Sequence, residues 1–206
     1  RETVSVNGHF NNTQFNGTSD VYAFDSEKFY VISKPGINET VSKDGKNIYK
    51  GKSELTAGTL SYSFIVPDDI NGNDNGKVMA YFHNTNDNKD YITAYYPIEF
   101  AGHDYIVSNN DNPQIKIYLE SKRFRDGDKV SKSPMLIAEL SDANGINILG
   151  SAGHDIMFLL DNSSQPLAVT SGFSYDLNSH TNGTLYWQLE DLSAGPHQAT
   201  IIAFDN

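Results

Sequence analysis

Acidic and amide side chains collect in the second half of this sequence, where they could bind a cation or hold turns. Asp142 and Asn144 precede Gly145, and Asp155 and Asp161 follow further along the chain. Calcium takes six to eight oxygen ligands, and these residues offer carboxylate and amide oxygens. The alternative is a structural turn cluster in which the same oxygens accept backbone N–H bonds. Nothing in the spacing makes the oxygens converge, so we expect no bound cofactor and keep calcium as the rival interpretation.

A loop rich in Asp and Asn at 67–76 raises the same question earlier in the chain. An EF-hand loop needs Gly at position 6 and a bidentate Glu at position 12. Counting from Asn71 places Gly76 at position 6 but Phe82 at position 12. Counting from Asp69 fails at both positions. The composition therefore favours a hairpin turn, in which Asn and Gly supply positive φ angles, over a looser calcium site.

Recognisable catalytic motifs are absent from the sequence. Without cysteine, the chain has no disulfide, thiolate metal cluster or cysteine nucleophile. The six histidines form no HExxH motif, and no GxSxG motif occurs. His103-Asp104 and His154-Asp155 are adjacent pairs, whose members would point to opposite faces of a strand. A hydrolase whose serine triad comes from scattered residues stays open as a third hypothesis.

Aromatic residues suggest a second class of function, a carbohydrate-binding or adhesin-type surface module. Tyr91, Tyr95 and Tyr96, or Tyr186 and Trp187, could form a platform on which sugars stack. The alternative is that alternating aromatics fill the core of a sandwich, which is favoured because the chain has a single Trp.

Composition limits the class of protein. The 206 residues are 38% hydrophobic and 20% charged, which is enough apolar material for a packed core and excludes a fully disordered chain. The net charge is -11, so the chain repels phosphate backbones and no nucleic-acid partner is expected.

No run of apolar residues approaches the length of a membrane-spanning helix, and no signal peptide opens the chain. Both ends look cut from a longer polypeptide.

Period-two alternation dominates the chain, and helical periodicity is absent. Leu60, Tyr62 and Phe64 fall on one face of a predicted strand, and similar alternation recurs in many short segments. The other predicted strands cover 3–10, 21–25, 29–33, 78–83, 91–100, 115–120, 135–140, 155–160, 167–171, 184–189 and 199–204. Clusters of Asn, Asp and Gly separate them. The pattern predicts an all-β fold of two antiparallel β-sandwich domains in tandem.

The predicted domain boundary lies at Ala101–Asp104, where one strand series ends and another begins. Domain one would cover residues 1–103 and domain two, an Ig-like sandwich, residues 104–206. Each half then has the usual size of one sandwich, about 100 residues.

A spaced motif in residues 141–161 carries a resemblance to a known family. Its residues are Asp142, Gly145, Asn147, Gly153, His154, Asp155 and Asp161. The run resembles the region after the catalytic domain in the type IX secretion system sortases, the PorU family, which are relatives of the gingipain-type cysteine peptidases. Similar segments lie upstream, at 15–17, 49–52, 64–71 and 75–78, and at the end of the chain, at 192–197 and 203–205.

The resemblance implies a cell-surface or outer-membrane protein of a Bacteroidetes-type bacterium. The parent would cleave the C-terminal sorting signal of secreted cargo and attach the cargo to lipopolysaccharide. Because the family's Cys and His lie upstream, no catalytic residue is carried over to this chain. Its role would be that of a non-catalytic accessory or scaffold region. Implied partners are the peptidase domain of the same polypeptide, other outer-membrane secretion and attachment proteins, and secreted cargo.

Overall fold

The computed structural model describes residues 2–72, 75–93, 96–100, 112–150 and 154–206. The all-β, antiparallel class predicted from the sequence is confirmed. Across the residues that the structure describes, no helix combines the length and apolar character needed to cross a bilayer. The predicted boundary at 101–104, the His103-Asp104 pair, Tyr95 and Gly153 lie outside the described residues. The division into 1–103 and 104–206, and the Ig-like topology of the second half, stay predictions.

The first half of the chain forms a seven-stranded antiparallel sheet and a separate hairpin. Its strands are β1 Thr3–His9, β2 Gly17–Phe24, β3 Lys28–Lys34, β4 Ile37–Lys43, β5 Asn47–Thr56, β6 Thr59–Ile65, β7 Gly76–Asn84, β8 Lys89–Ile92 and β9 Tyr96–Ile98. The large sheet has the order β1-β6-β5-β2-β7-β8, with β9 also paired to β7, while β3 pairs with β4. The single strand expected over 91–100 is therefore two short strands, β8 and β9.

The second half forms two smaller sheets. Its strands are β10 Gln114–Leu119, β11 Met135–Ser141, β12 Met157–Leu160, β13 Leu167–Ala168, β14 Phe173–Tyr175, β15 Asn182–Gln188 and β16 Ala199–Ile202. One sheet has the order β10-β11-β15-β14 and the other β13-β12-β16. The strand expected over 167–171 stops at Ala168, and a 3₁₀ turn at Thr170–Gly172 follows.

Alternating side chains on these strands build the core. In β6, Leu60, Tyr62 and Phe64 are buried, as their period-two spacing predicts. In the second half, buried side chains come from both sheets: Leu136, Ala138, Leu140, Phe158, Phe173, Leu185 and Ile201. All of these residues belong to one apolar cluster that includes both halves of the chain. Apart from the β3–β4 hairpin, whose residues are all exposed, the sheets bury one face each, as the layers of β-sandwiches do.

The two halves meet along β5. Its Lys52 forms an isolated parallel bridge with Leu177, and Lys52 O accepts the N–H of Asn178 at 2.8 Å. The amide oxygen of Asn178 accepts the N–H of Glu54 at 2.9 Å. β5 pairs with β6 only at Leu55 and Thr56, so the segment after β14 takes up backbone groups of β5 that β6 does not reach. These bonds position the family-motif residues of the second half against the first half.

Candidate functional site

The turn after β11 contains the first two motif residues, Asp142 and Gly145. The Asp142 carboxylate accepts the N–H of Asn144 at 2.7 Å, and its carbonyl accepts the N–H of Gly145 at 3.0 Å. Gly145 has a φ of 76°, a left-handed conformation that favours glycine. This is the geometry in which an Asp side chain caps a tight turn.

Two residues from distant parts of the sequence, Tyr175 and Asn206, form hydrogen bonds with this turn. The Tyr175 hydroxyl accepts the N–H of Ile146 at 2.7 Å and donates to the Ile146 carbonyl at 2.8 Å. The Asn206 side chain donates to the Asn144 carbonyl at 3.1 Å. Burial raises the pKa of Tyr175, which keeps its hydroxyl neutral and able to donate. The turn is therefore fixed by buried hydrogen bonds to two distant parts of the chain.

Asn147 and His154 reach across to the first half of the chain. The Asn147 amide nitrogen donates to Asp69 Oδ1 at 2.9 Å, and His154 Nδ1 lies 2.7 Å from Asp69 Oδ2. The ring of His154 also packs against Phe204, with centroids 5.4 Å apart. Asp69 belongs to the loop at 67–76, which is rich in Asp and Asn. Its carboxylate bridges two motif residues of the other half.

Asp155 and Asp161 have other partners. Asp155 Oδ1 accepts from the Thr170 hydroxyl at 2.9 Å, and the same hydroxyl oxygen accepts the N–H of Ile156 at 2.9 Å. Asp161 lies at the far end of β12, where its Oδ1 accepts the N–H of Gln198 at 2.8 Å. These two carboxylates lie at opposite ends of β12, where one bonds to Thr170 and the other to Gln198.

The four candidate calcium ligands are consequently engaged in three separate places. Asp142 and Asn144 share one turn, Asp155 bonds to Thr170, and Asp161 bonds to the backbone of Gln198. Within the described ranges, no group of three or more His, Cys, Asp or Glu residues is placed to hold a metal ion. Since calcium needs six or more converging oxygens, this geometry favours the turn interpretation.

Removal of divalent cations is therefore expected to leave the melting temperature unchanged. A metal that binds only the folded state would stabilise it by mass action, so its removal would lower the melting temperature. Thermal melts followed by circular dichroism with EDTA, and with added calcium, check this. A drop of many degrees in EDTA that calcium reverses would contradict the turn interpretation.

The order of contacts found in serine hydrolases occurs at Asp161, His197 and Ser193. His197 Nδ1 lies 2.7 Å from Asp161 Oδ2, and His197 Nε2 lies 3.3 Å from the Ser193 hydroxyl oxygen. No local motif marks this arrangement, because Asp161 and His197 are far apart in the chain. A serine triad from scattered residues is the basis of the hydrolase hypothesis, so the geometry of these three residues decides between a catalytic and a structural role.

The hydrogen bonds of His197 favour a structural role. Its Nε2 lies only 2.8 Å from the carbonyl oxygen of Ser193, which can only accept a hydrogen bond. A nitrogen that donates there has no lone pair to take the serine proton. The Ser193 carbonyl and the Asp161 carboxylate both raise the pKa of His197, which favours the imidazolium. The two described cavities, of about 510 and 530 Å³, do not include these residues.

We expect the pKa of His197, measured by NMR titration, to lie above the ordinary value of about 6.5. Its contribution to stability should be complete below about pH 6.5 and should disappear as the pH rises through the folded-state pKa. The backbone N–H of Gln198 and the His197 imidazolium lower the pKa of Asp161, so its contribution disappears as the pH falls through that lowered value.

Two variants distinguish a structural role of the His197 hydrogen bonds from a role in a catalytic triad. Asp161→Asn should bring the pKa of His197 down, because the carboxylate charge is lost. Ser193→Ala should leave it raised, because the carbonyl remains. A lower pKa of His197 in the Ser193→Ala variant would show that the Ser193 hydroxyl is the partner of Nε2. It would contradict the structural role of His197.

Of the residues of the two proposed aromatic platforms, the structure describes Tyr91, Tyr186 and Trp187, while Tyr95 and the side chain of Tyr96 lie outside the described residues. The ring of Tyr91 packs on Phe15, with centroids 4.5 Å apart, and its hydroxyl donates to Asp87 at 2.7 Å. Tyr186 and Trp187 are neighbours in β15 and point to opposite faces. Tyr186 is exposed, whereas Trp187 packs against the core. The pair therefore does not form one platform.

Comparison with known proteins gives a match among solved structures. No family model matches the sequence, and no curated protein matches it. The structure is similar to that of dimeric latent PorU from Porphyromonas gingivalis. The similarity covers 98% of this chain at 25% sequence identity, with a TM-score of 0.52. The chain spans about a fifth of the PorU chain, 21% of its length. The match supports a PorU-like relation that includes both halves described above.

Proposed function

We propose that this chain is a non-catalytic accessory region of a PorU-like sortase of the type IX secretion system. The observation that carries the proposal is the structural match to PorU, which extends over 98% of the chain. The motif residues that resemble the family serve as turn and bridging residues in the structure, with Asp142 holding a turn and Asp69 bridging Asn147 and His154. Such fixed polar contacts suit a scaffold that orients neighbouring domains.

The absence of cysteine supports the non-catalytic assignment. A gingipain-type peptidase needs a cysteine thiolate as its nucleophile, and this chain has none. The match spans 21% of the PorU chain, which leaves room for a peptidase domain elsewhere in one polypeptide. The partners in this proposal are that peptidase domain, other outer-membrane secretion and attachment proteins, and secreted cargo. The location is the cell surface of a Bacteroidetes-type bacterium, on the outer membrane.

The complete coding sequence and a deletion in the parent protein test this function. We expect a peptidase domain with catalytic Cys and His in the same polypeptide. Deleting residues 1–206 should abolish attachment of cargo at the cell surface, as substitution of the catalytic Cys should. The isolated chain should not hydrolyse peptides that resemble C-terminal sorting signals. Normal cargo attachment in the deletion strain, or hydrolysis by the isolated chain above a buffer blank, would contradict the proposal.

A carbohydrate-binding module is the second candidate, and one surface favours it. Tyr118 on β10, Ile137 on β11 and Tyr186 on β15 lie directly opposite one another, so they share the outer face of the sheet. Tyr186 is 52% exposed, and the exposed Lys122 lies beside this row, bonded to Glu139. A glycan array should show a saturable signal that Tyr186→Ala removes if this role is correct. An array without such a signal excludes it.

A further inference from the structure

One edge of the large sheet is formed by β1. Its seven residues pair with β6 in one continuous register, from Thr3 opposite Ile65 to His9 opposite Thr59. Among the described residues, no other strand pairs with the outer side of β1. Natural sheets protect such edges with lysine, proline or bulges. β1 contains neither lysine nor proline, and its register has no bulge, so the edge is open to a further strand.

The backbone groups that β1 directs outward follow from its bonds to β6. At one end, the N–H of Phe10 donates to the Gly58 carbonyl at 2.8 Å. At the other end, the N–H of Val66 donates to the Glu2 carbonyl at 3.0 Å. Even-numbered residues of this segment therefore face β6, and backbone directions alternate along a strand. The N–H and C=O groups that point away from β6 belong to Thr3, Ser5, Asn7 and His9.

A cavity of about 510 Å³ lies beside this edge, within the usual size of a ligand pocket. Val6 and Gly8 of β1 line it, and so does Tyr91 of β8. β1 and β8 stand at the two ends of the strand order, so the sheet curves until both approach the same space. The ring of Phe10, just after β1, accordingly lies 6.0 Å from that of Phe82 in β7, measured between centroids.

The walls of this cavity are mainly apolar and carry no full charge. Buried side chains form much of the lining, namely Leu60, Tyr62, Val78, Ala80, Phe10 and Phe15. Asn7 and His9, which are exposed, add polar groups. No Asp, Glu, Lys or Arg is among the described residues that line it. The cavity therefore fits uncharged, apolar groups.

The open edge and the cavity together favour an extended peptide over a small apolar molecule. A small molecule would leave the outward backbone groups of β1 unused, whereas an added strand pairs with them. Side chains alternate between the faces of a strand. Every second side chain of an added strand would therefore lie on the same face as Val6 and enter the cavity. A second copy of β1 would offer only Val4, Val6 and Gly8 on that face, which are too small to fill it.

We propose that β1 and the cavity beside it bind an extended segment of another protein, which adds a strand to the large sheet. The backbone of the bound segment pairs with the outward groups of β1, and its alternate apolar side chains fill the cavity. Because the lining is uncharged and the chain has a net charge of -11, the segment is apolar toward the cavity and is not acidic. The inference does not depend on the proposed sortase function.

Fluorescence anisotropy with a labelled peptide tests the site in the intact chain. The probe has about eight residues, close to the length of an ordinary strand, alternates Val and Thr, and carries Lys at both ends. We expect saturable binding, because the Val side chains fill the cavity and the basic ends suit an acidic protein. Replacing every Val by Ser should weaken binding at least about tenfold, because the burial of apolar surface is lost.

Methylation of the peptide backbone tests the strand pairing without changing the protein. Alternate N–H groups of a strand point to opposite sides, so only one set of peptide N–H groups faces β1. One peptide is methylated at the Val amides and the other at the Thr amides. One of the two should lose binding, and the other should keep it within about twofold, because only one set forms hydrogen bonds with β1.

Asn7→Pro places the site on β1. Proline removes an N–H that points away from β6, a position at which edge strands tolerate proline. It should weaken binding at least about tenfold, because a hydrogen bond is lost and the ring obstructs the added strand. Thr40→Pro is the matched control, since Thr40 is exposed on β4 of the separate hairpin, and it should leave binding unchanged. Circular dichroism melts check that both variants fold.

The proposal is wrong if the alternating peptide shows no saturable binding or if the two methylated peptides bind equally. Equal losses in Asn7→Pro and Thr40→Pro would also overturn it, because the site would then not lie on β1. If Asn7→Pro does not fold, the two methylated peptides decide the outcome, since they are measured with the unaltered chain.

Discussion

Tyr49→Ala is expected to cost about 3–5 kcal/mol of unfolding free energy, the usual range for removing a buried aromatic ring. The side chain is 1% exposed. Its ring stacks on Tyr175 with centroids 4.9 Å apart, and it contacts Tyr62 at 5.8 Å and Phe64 at 5.9 Å. Since a domain is stable by about 5–15 kcal/mol, this one change removes a large part of its stability.

The loss should be large because Tyr49 joins the two halves of the chain. Tyr62 and Phe64 belong to the first half, whereas Tyr175 belongs to the second. The Tyr49 hydroxyl also donates to the carbonyl of Ser179 at 2.8 Å. Gly51 leaves room for this arrangement, since a Cβ there would lie 2.6 Å from the Tyr49 hydroxyl and 3.1 Å from Tyr175 Cβ. A cavity at Tyr49 would therefore open between the halves.

Urea unfolding of three variants measures this effect. Tyr49→Phe keeps the ring and loses one hydrogen bond, so it should cost about 1 kcal/mol. Tyr186→Ala removes an exposed ring and should change stability by no more than about 0.5 kcal/mol. The midpoint should fall in Tyr49→Ala with the slope unchanged. If Tyr49→Ala were as mild as Tyr186→Ala, the aromatic contact between the halves would not contribute to stability.

Strands that bury one regular face were predictable from the sequence. Buried residues alternate with more exposed ones in β6 and β7, and a period of two follows directly from strand geometry. The segment at 37–43 carried no such signal, because β4 is exposed on both faces and has no buried set to alternate. Its pairing with β3 is set by the Pro35-Gly36 turn instead.

β5 was missed for a different reason. Its buried face includes Gly51 and Ser53, which are too small and too polar to mark a core position in a sequence. Gly51 lies against the side chains of Tyr49 and Tyr175, and the hydroxyl of buried Ser53 donates to the Ser61 carbonyl at 2.9 Å. β14 has three residues, which is too short for periodicity to appear.

The polar contacts of the candidate site depend on distant parts of the chain. The sequence identified Asp142 and Gly145 as residues of a turn, because their spacing is local. It could not identify Asp69 as the partner of His154, since 85 residues separate them. Such pairs arise only when the sheets of the two halves dock, which local spacing does not encode. The same limit applies to Tyr175, whose hydroxyl holds the motif turn.

Gly145→Ala is expected to cost about 3–5 kcal/mol, from two contributions. A non-glycine residue in the left-handed region pays roughly 1–2 kcal/mol, and Gly145 has a φ of 76°. A Cβ there would also lie 2.8 Å from Asn206 Nδ2, 2.9 Å from the His180 carbonyl oxygen and 3.0 Å from the Tyr175 hydroxyl. Moving any of these groups weakens buried hydrogen bonds, each of which costs about 1–3 kcal/mol when it is lost.

Gly127→Ala is the matched control, because it isolates the backbone contribution. Gly127 has a φ of 90°, and a Cβ there meets nothing within 4 Å. It should therefore pay only the conformational cost of about 1–2 kcal/mol. Urea unfolding of both variants gives the difference, which is the cost of crowding Tyr175 and Asn206 around the motif turn. Equal losses in the two variants would mean that the turn yields freely to a methyl group, and the rigid turn described for Asp142–Asn147 would then be wrong.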